Sequence, residues 1–265
     1  MKHHNVAIIG LGWLGEALAV HLMARGRKVY GTTTSEEKAV SLQSRGMVAE
    51  QWKYTGRENR LPAWISICST VVITLPPRGD HDNWHSAIRY ILNQCAPGSL
   101  VLFTSTTGVY RQGLSAEIRV AKESCPLKPG PLLAAEEVVR SSGLSYLILR
   151  LAGLVGGERI PARFLSGKTD VTQPDAPVNL IHREDIVGYM EALLDAGIRN
   201  ELFNICSPEH PSRKVFYTSQ AIRSNLPPPV FRENEQDTPY GYIVDDSKIR
   251  SAISYSMKYP DPMNF

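Results

Sequence analysis

Residues Val6-Ala7-Ile8-Ile9-Gly10-Leu11-Gly12-Trp13-Leu14-Gly15 combine a short apolar run with glycines at the first, third and sixth positions of a G-x-G-x-x-G. This feature constrains the fold most, because it demands a buried strand, a turn that glycine tolerates, and a helix lying close against the strand. Gly10 allows the tight turn, Gly12 carries no Cβ to obstruct a bound group, and Gly15 lets the helix approach. The helix is read from Glu16 to Arg25, with Leu14, Leu18 and Leu22 on one face. Gly26 is its stop signal, and Lys28-Val29-Tyr30 begins the next strand. The first-turn N–H groups of such a helix face an anion, so the motif reads as a cradle for a dinucleotide pyrophosphate. A glycine-rich turn without a ligand is the competing reading.

Strands and helices then alternate, which predicts an α/β fold with a Rossmann-type doubly wound parallel sheet. Glu36 to Arg45 reads as a helix, Val48 to Trp52 as a weak strand, and Thr70 to Leu75 as a buried parallel strand ended by Pro76-Pro77. Trp84, Ala87, Ile88, Ile91, Leu92 and Cys95 recur at helical spacing, and Leu100 to Ser105 is the fifth strand. Leu132 to Arg140 is a helix closed by Gly143, and Tyr146 to Arg150 another buried strand. Glycines and prolines punctuate the chain beyond this point, with a helix at Ile186 to Leu194, a strand at Leu202 to Cys206 and a helix from Val215 to Asn225. The expected organisation is a dinucleotide-binding core over residues 1–152 and a smaller, loop-rich C-terminal substrate lobe over 153–265, with 178–206 returning to the core.

At 265 residues the chain can bury a sizeable core without disulfide staples. A net charge of +3 with no Lys/Arg run argues against nucleic-acid binding and is compatible with a small, anionic substrate. No apolar stretch approaches the length needed to span a bilayer, so no membrane association is expected. Cys68, Cys95, Cys125 and Cys206 show no C-x-x-C spacing and read as reduced thiols, which together with the absence of a recognisable leader predicts a cytoplasmic protein with no metal site. The oligomeric state is not encoded in any of these features.

Cofactor choice is read at the end of the second strand. NAD-selective sites place a carboxylate there for the ribose 2′-OH. Here the run is Tyr30-Gly31-Thr32-Thr33-Thr34-Ser35, with no carboxylate before Glu36. Hydroxyls can donate to a 2′-phosphate, with Lys38 or Arg25 as possible sources of positive charge, so NADP is favoured over NAD. Ser35 alone could cap the helix that starts at Glu36. The expected cofactor contacts are Gly10, Gly12, Trp13, Leu14 and Gly15 in the cradle. To these are added Thr32, Thr33 and Thr34 after the second strand, Leu75 and Pro76 after the fourth, and Ser105 on the fifth.

The fifth strand ends in Phe103-Thr104-Ser105-Thr106-Thr107-Gly108-Val109-Tyr110, and hydroxyls at the carboxyl edge of a parallel sheet face a ligand crevice. This run, with Ile148 to Gly156 and with Asn179-Leu180-Ile181-His182-Arg183-Glu184-Asp185, resembles the extended short-chain dehydrogenase/reductase superfamily of the NAD-dependent epimerase/dehydratase type. Phe203-Asn204-Ile205-Cys206 and Tyr259-Pro260-Asp261-Pro262 make it most similar to the atypical, YeeZ-like branch. The resemblance spans essentially the whole chain. It implies that Thr106 is the catalytic Ser/Thr that orients a substrate oxygen, with Thr107 beside it.

The same resemblance implies a Tyr-x-x-x-Lys helix, and here the chain departs from the pattern. The matching segment, Pro126 to Glu137, has no tyrosine, and no Tyr-x-x-x-Lys occurs elsewhere. Tyr110 and His182 are the candidate replacements for the acid/base. For Tyr110 the alternative is a packing aromatic, and for His182 it is orientation of the helix starting near Asp185. Arg159, Arg163 and Arg183 are candidates to hold a substrate phosphate or carboxylate, surface arginines being the alternative.

Two functions are compatible with these residues. One is an NADP-preferring oxidoreductase or epimerase/dehydratase-like enzyme acting on a small carbonyl, hydroxyl or sugar-nucleotide substrate. The other is a non-catalytic dinucleotide-binding sensor or partner protein. The glycine motif also resembles β-hydroxyacid dehydrogenases, whose long all-helical C-terminal domain this loop-rich second half does not suit.

Overall fold

Val6–Ile9 is fully buried and forms the first strand, β1, in the interior of the molecule's main sheet. A computed structural model describes residues 5–55, 60–77, 81–110, 118–232 and 241–265. In chain order the next elements are α1 (Trp13–Ala24), β2 (Val29–Thr33), α2 (Glu36–Ser44), β3 (Val48–Gln51), β4 (Thr70–Ile73), α3 (His81–Gln94) and β5 (Leu100–Thr106). Then come β6 (Ile118–Ala121), α4 (Pro131–Arg140), β7 (Ser145–Leu151), β8 (Gly153–Val155), β9 (Leu180–His182), α5 (Arg183–Ala196), β10 (Glu201–Ile205), α6 (Arg213–Arg223), β11 (Gly241–Val244) and α7 (Ser247–Ala252).

Seven strands form one sheet in the order β10-β7-β5-β4-β1-β2-β3. Val6 pairs with Val29 on one side and Thr70 on the other, both in parallel register. The chain runs outward from β1 in one direction through β2 and β3, and in the other from β4. The order therefore reverses at β1, which in a doubly wound sheet is where ligands are held at the carboxyl ends of the strands. This is the doubly wound α/β architecture expected from the alternating pattern. Several boundaries differ by one to three residues from the sequence reading. α1 begins at Trp13 rather than Glu16, and α5 at Arg183 rather than Ile186.

By contact density the chain separates into two units. Unit one comprises Met1–Val109, Lys128–Arg150 and Leu193–Leu202, and unit two comprises Tyr110–Leu127, Leu151–Ala192 and Phe203–Phe265. The core of unit one is aromatic: Tyr30 stacks on Trp64 at 5.4 Å, and Trp84 packs against Phe103. Such pairs add stability beyond the area they bury.

Unit two contains two small parallel sheets within segments that read as loops: β8 with β9, and β6 with β11. Asparagine side chains brace the second of them. Asn179 Nδ2 donates to Tyr242 O at 2.8 Å while its Oδ1 accepts from Val244 N at 2.8 Å, imitating a strand edge for β11. Buried Asn204 donates to Ala121 O and Asp245 O at 3.1 Å each, joining the ends of β6 and β11. Among the described residues no helix is long and apolar enough to cross a membrane, and no cluster of side chains suits a metal ion. The four cysteines are free.

Candidate functional site

In unit one the glycine loop has the shape its motif predicts. Gly10 sits at φ +105°, a conformation that penalises any side chain, and its N–H donates to Thr32 Oγ1 at 3.2 Å. A Cβ on Gly15 would lie 2.2 Å from Gly10 O, so the helix can approach only as glycine. A Cβ on Gly12 would have no atom within 4 Å. Gly12 is also the N-cap of α1, so no capping side chain satisfies the amides of the first turn. Helix N–H groups above open space suit a pyrophosphate. Leu14 is buried beneath them, and Trp13 stands as the first residue of the helix.

Two supports of this loop carry no sequence signature. Thr74 Oγ1 donates to Gly10 O at 2.6 Å from the end of β4. Leu11 packs so closely on Gly31 that a Cβ there would sit 2.6 Å from its side chain. Leu75 also lies against the loop, and Pro76 beyond it is exposed.

The three threonines after β2 have separate fates. Thr32 is buried and serves Gly10; Thr33 Oγ1 accepts from Ser35 N at 3.4 Å; Thr34 is exposed. Ser35 caps α2, its Oγ accepting from Lys38 N at 3.2 Å. Glu16, in the first turn of α1, binds Lys38 and Arg45 at 2.8 Å each. Burial pushes its carboxyl up, but the two cations outweigh burial and hold it below the usual range. Arg25, by contrast, is the C-cap of α1, about 18 Å along the helix from the cradle, and cannot serve the 2′ position.

The end of β5 rests on a buried charge system. Ser105 Oγ donates to Glu136 Oε1 at 2.7 Å, and Arg150 forks onto the same carboxylate through Nε at 3.0 Å and NH2 at 2.8 Å. Arg140 adds a bond to Glu136 Oε2 at 2.9 Å. Burial raises the Glu136 carboxyl, but these partners outweigh it and keep it ionised below its ordinary value. Thr106 is half-buried, and its Oγ1 accepts from Gly108 N at 3.2 Å, leaving its proton to donate elsewhere. Thr107 is buried in the short 3-10 turn after β5. From α3, Trp84 Nε1 donates to Leu75 O at 3.3 Å and His85 Nε2 donates to Pro131 O at 2.7 Å.

In unit two the candidate acid/base groups are engaged structurally. Tyr110 is buried, and its phenol donates to Asn204 Oδ1 at 2.5 Å. His182 precedes α5 and caps it: Nδ1 accepts from Glu184 N at 3.3 Å. Nδ1 therefore lacks a proton and the neutral ring carries it on Nε2. Tyr259 lies 3.9 Å from the imidazole centroid and Phe265 5.6 Å. Burial lowers the His182 pKa, and the nearby Glu184 and Asp185 carboxylates only partly oppose this. Fully buried Asp185 ties down a later stretch of chain by accepting from Tyr255 Oη at 2.9 Å, Lys258 N at 2.7 Å and Tyr259 N at 3.0 Å.

Of the three candidate arginines in this unit, two adjoin the Gly156-Gly157 turn. Arg159 bridges Gly156 through the backbone, and Arg163 is exposed on a 3-10 turn. Arg183 covers Gly157 so tightly that a Cβ there would lie 2.7 Å from its NH2.

Residues 5–123 match a family described as the NAD binding domain of 6-phosphogluconate dehydrogenase. The match ends before the second half, where strands intervene between helices, unlike the all-helical domain of β-hydroxyacid dehydrogenases. The chain is 36% identical to the protein YeeZ of Escherichia coli K12, over 98% of this chain and 97% of that one. Its fold is similar to a UDP-N-acetylglucosamine 4-epimerase from Bacillus cereus, with TM-score 0.75, 17% identity and coverage of 98% and 93% of the two chains. It is also similar to the human epimerase family protein SDR39U1, solved with NADPH, with TM-score 0.72, 14% identity and coverage of 98% and 96%. The doubly wound fold is shared with these epimerase-family structures, and near-complete alignment with YeeZ shows that the chain belongs to the YeeZ family.

Proposed function

We propose that this chain is an NADP-preferring oxidoreductase or epimerase/dehydratase-like enzyme acting on a small carbonyl, hydroxyl or sugar-nucleotide substrate. The observation that carries the reading is the cradle: Gly12 opens onto space above α1 amides that no side chain caps. Gly10, Gly12, Trp13, Leu14 and Gly15 would hold the pyrophosphate, and Leu75, Pro76 and Ser105 would border the other half of the dinucleotide. Preference for NADP is supported by Thr34 and Ser35 where NAD-selective sites carry a carboxylate. It is also supported by Lys38 and Arg45, two cations sharing the single carboxylate of Glu16.

A reduced nicotinamide supplies hydride chemistry. This chain's own contribution centres on Thr106, whose proton is free to hydrogen-bond a substrate oxygen and stabilise charge that develops there. Ser105 is fixed with its proton on Glu136, so toward a ligand it can only accept. We assign substrate recognition chiefly to residues 153–265, where Arg159, Arg163 and Arg183 offer guanidinium groups to a phosphate or carboxylate. The free thiols suit the reducing cytoplasm, with burial pushing Cys68 up to about 11 and Cys95 up to about 12.

The test is NADPH oxidation across a panel of carbonyl compounds and sugar nucleotides. Thr106→Ala is expected to lower turnover by about 10²–10³-fold, the usual cost of removing one such donor. A non-catalytic dinucleotide sensor is the second reading, favoured by the structural engagement of both Tyr110 and His182. Tight binding without turnover on the whole panel would decide for it.

A further inference from the structure

We infer that His85, on α3, is the proton-carrying group of this site and takes over the acid/base role that the missing Tyr-x-x-x-Lys would have served. The inference rests on the proposed cofactor site. The hydrogen bond from Nε2 to Pro131 O fixes the ring, because a carbonyl can only accept. Pro131 is the first residue of α4, a helix within the segment that the sequence resemblance matches to the superfamily's tyrosine and lysine. A Cβ placed on Gly108 would lie 3.6 Å from Thr106 Oγ1 and 3.8 Å from Leu132 Cδ1, so the candidate hydroxyl and the first turn of α4 adjoin. His85 is anchored to that same turn.

Anchoring one ring nitrogen on a backbone carbonyl sets the tautomer and leaves the other nitrogen for chemistry. Within the described residues no hydrogen bond involves Nδ1 of His85. The neighbouring Trp84 closes one side of the imidazole, at 5.4 Å between centroids, and also holds Leu75 O. Among the described side chains on the two helices or beside them, the charged groups are Arg89 on α3, Lys128 just before α4, and Glu136, Glu137 and Arg140 on α4. Glu136 and Arg140 are already paired.

In the carbonyl-reducing direction, with a bound reduced nicotinamide as the source of hydride for the carbonyl carbon, the doubly protonated imidazolium form of His85 would give its Nδ1 proton to the carbonyl oxygen while Nε2–H stays on Pro131 O. Alcohol, oxidised nicotinamide and neutral imidazole result, and the imidazole regains a proton from water. In the reverse direction Nδ1 accepts the hydroxyl proton.

The test uses the wild-type chain labelled with ¹⁵N-histidine, His85 being assigned by its absence in His85→Gln. The free protein is expected to show the Nε2–H tautomer. Its ring signals should move on addition of NADPH or NADP⁺, and stay within error on addition of 2′,5′-ADP, which lacks the nicotinamide. Binding of the full dinucleotide, established by thermal shift, without movement of His85 would overturn the inference and leave the cofactor reading intact. An Nδ1–H tautomer, or equal movement with 2′,5′-ADP, would overturn it too. Absence of binding would overturn both. His85→Gln keeps a donor for Pro131 O but carries no titrating proton, so cofactor affinity should stay within twofold while turnover falls by about 10²-fold or more. Unchanged turnover in this variant, or no turnover by the wild type on any panel member, would overturn the role.

Discussion

Gly12 and Gly15 belong to one motif but make opposite demands, and this separates binding from folding. Gly12→Ala adds a methyl group to open space, so stability should change by less than about 1 kcal/mol at this exposed N-cap. Its affinity for the dinucleotide should nevertheless fall at least tenfold, read by calorimetric titration. Gly15→Ala drives a Cβ against Gly10 O and should cost about 1–3 kcal/mol of stability as well as binding. Equal behaviour of the two variants would contradict the geometry of the loop. A second residue-scale prediction concerns Glu136. Arg150→Met removes the buried, two-pronged partner of Glu136 and leaves that carboxylate only Ser105 and the partly exposed Arg140, which should cost about 3–5 kcal/mol in a urea titration, whereas Glu136→Leu with Arg150→Met should recover much of that loss. A double variant no better than the single one would mean that the pair is not the unit of stability.

At the scale of elements, α5 is held at its start by His182. Because burial lowers the folded pKa below 6.5, the unfolded chain binds protons more readily. The stabilisation is complete above pH 6.5, declines as pH falls through that value, and levels off below the folded pKa. His210 shifts in the same direction. Urea unfolding from pH 8 down to about 5.5 should show stability falling, and His182→Asn, a non-titrating cap, should flatten the slope. Stability that rises on acidification in this window, or an unchanged slope in the variant, would contradict the capping assignment.

The same helix shows what a sequence conceals. The glycine cradle was legible because strand, turn and helix are local and each uses a residue type for a specific reason. The β5 hydroxyl run and the absence of Tyr-x-x-x-Lys were legible likewise. His182 as a cap was one of two open readings, since a cap and a catalyst use the same imidazole. The β6–β11 and β8–β9 pairs were not legible. Their strands are three or four residues long, with partners far away in sequence, and the β6–β11 pair is braced by the Asn179 and Asn204 side chains from other segments. Arg150 read as part of an apolar strand and Glu136 as part of a helix face. Only the tertiary fold brings them together. His85 gave no signal because its partner is a backbone carbonyl on another helix.

At the scale of the molecule, unit one is a doubly wound sheet whose open cradle lies where the strand order reverses. The central claim is that this unit binds a nicotinamide dinucleotide and prefers the 2′-phosphorylated form. Thermal unfolding with NADP(H) and with NAD(H), each at the same series of concentrations, tests it most directly. At 100 times the dissociation constant, binding should add about 2.7 kcal/mol. For a chain of this size that corresponds to about 5–10 °C in Tm. The predicted result is a saturable rise with both cofactors, reached at lower concentrations with NADP(H) than with NAD(H). A preference for NAD(H) would contradict the reading of the β2 end, and no rise with either would contradict the account at its centre.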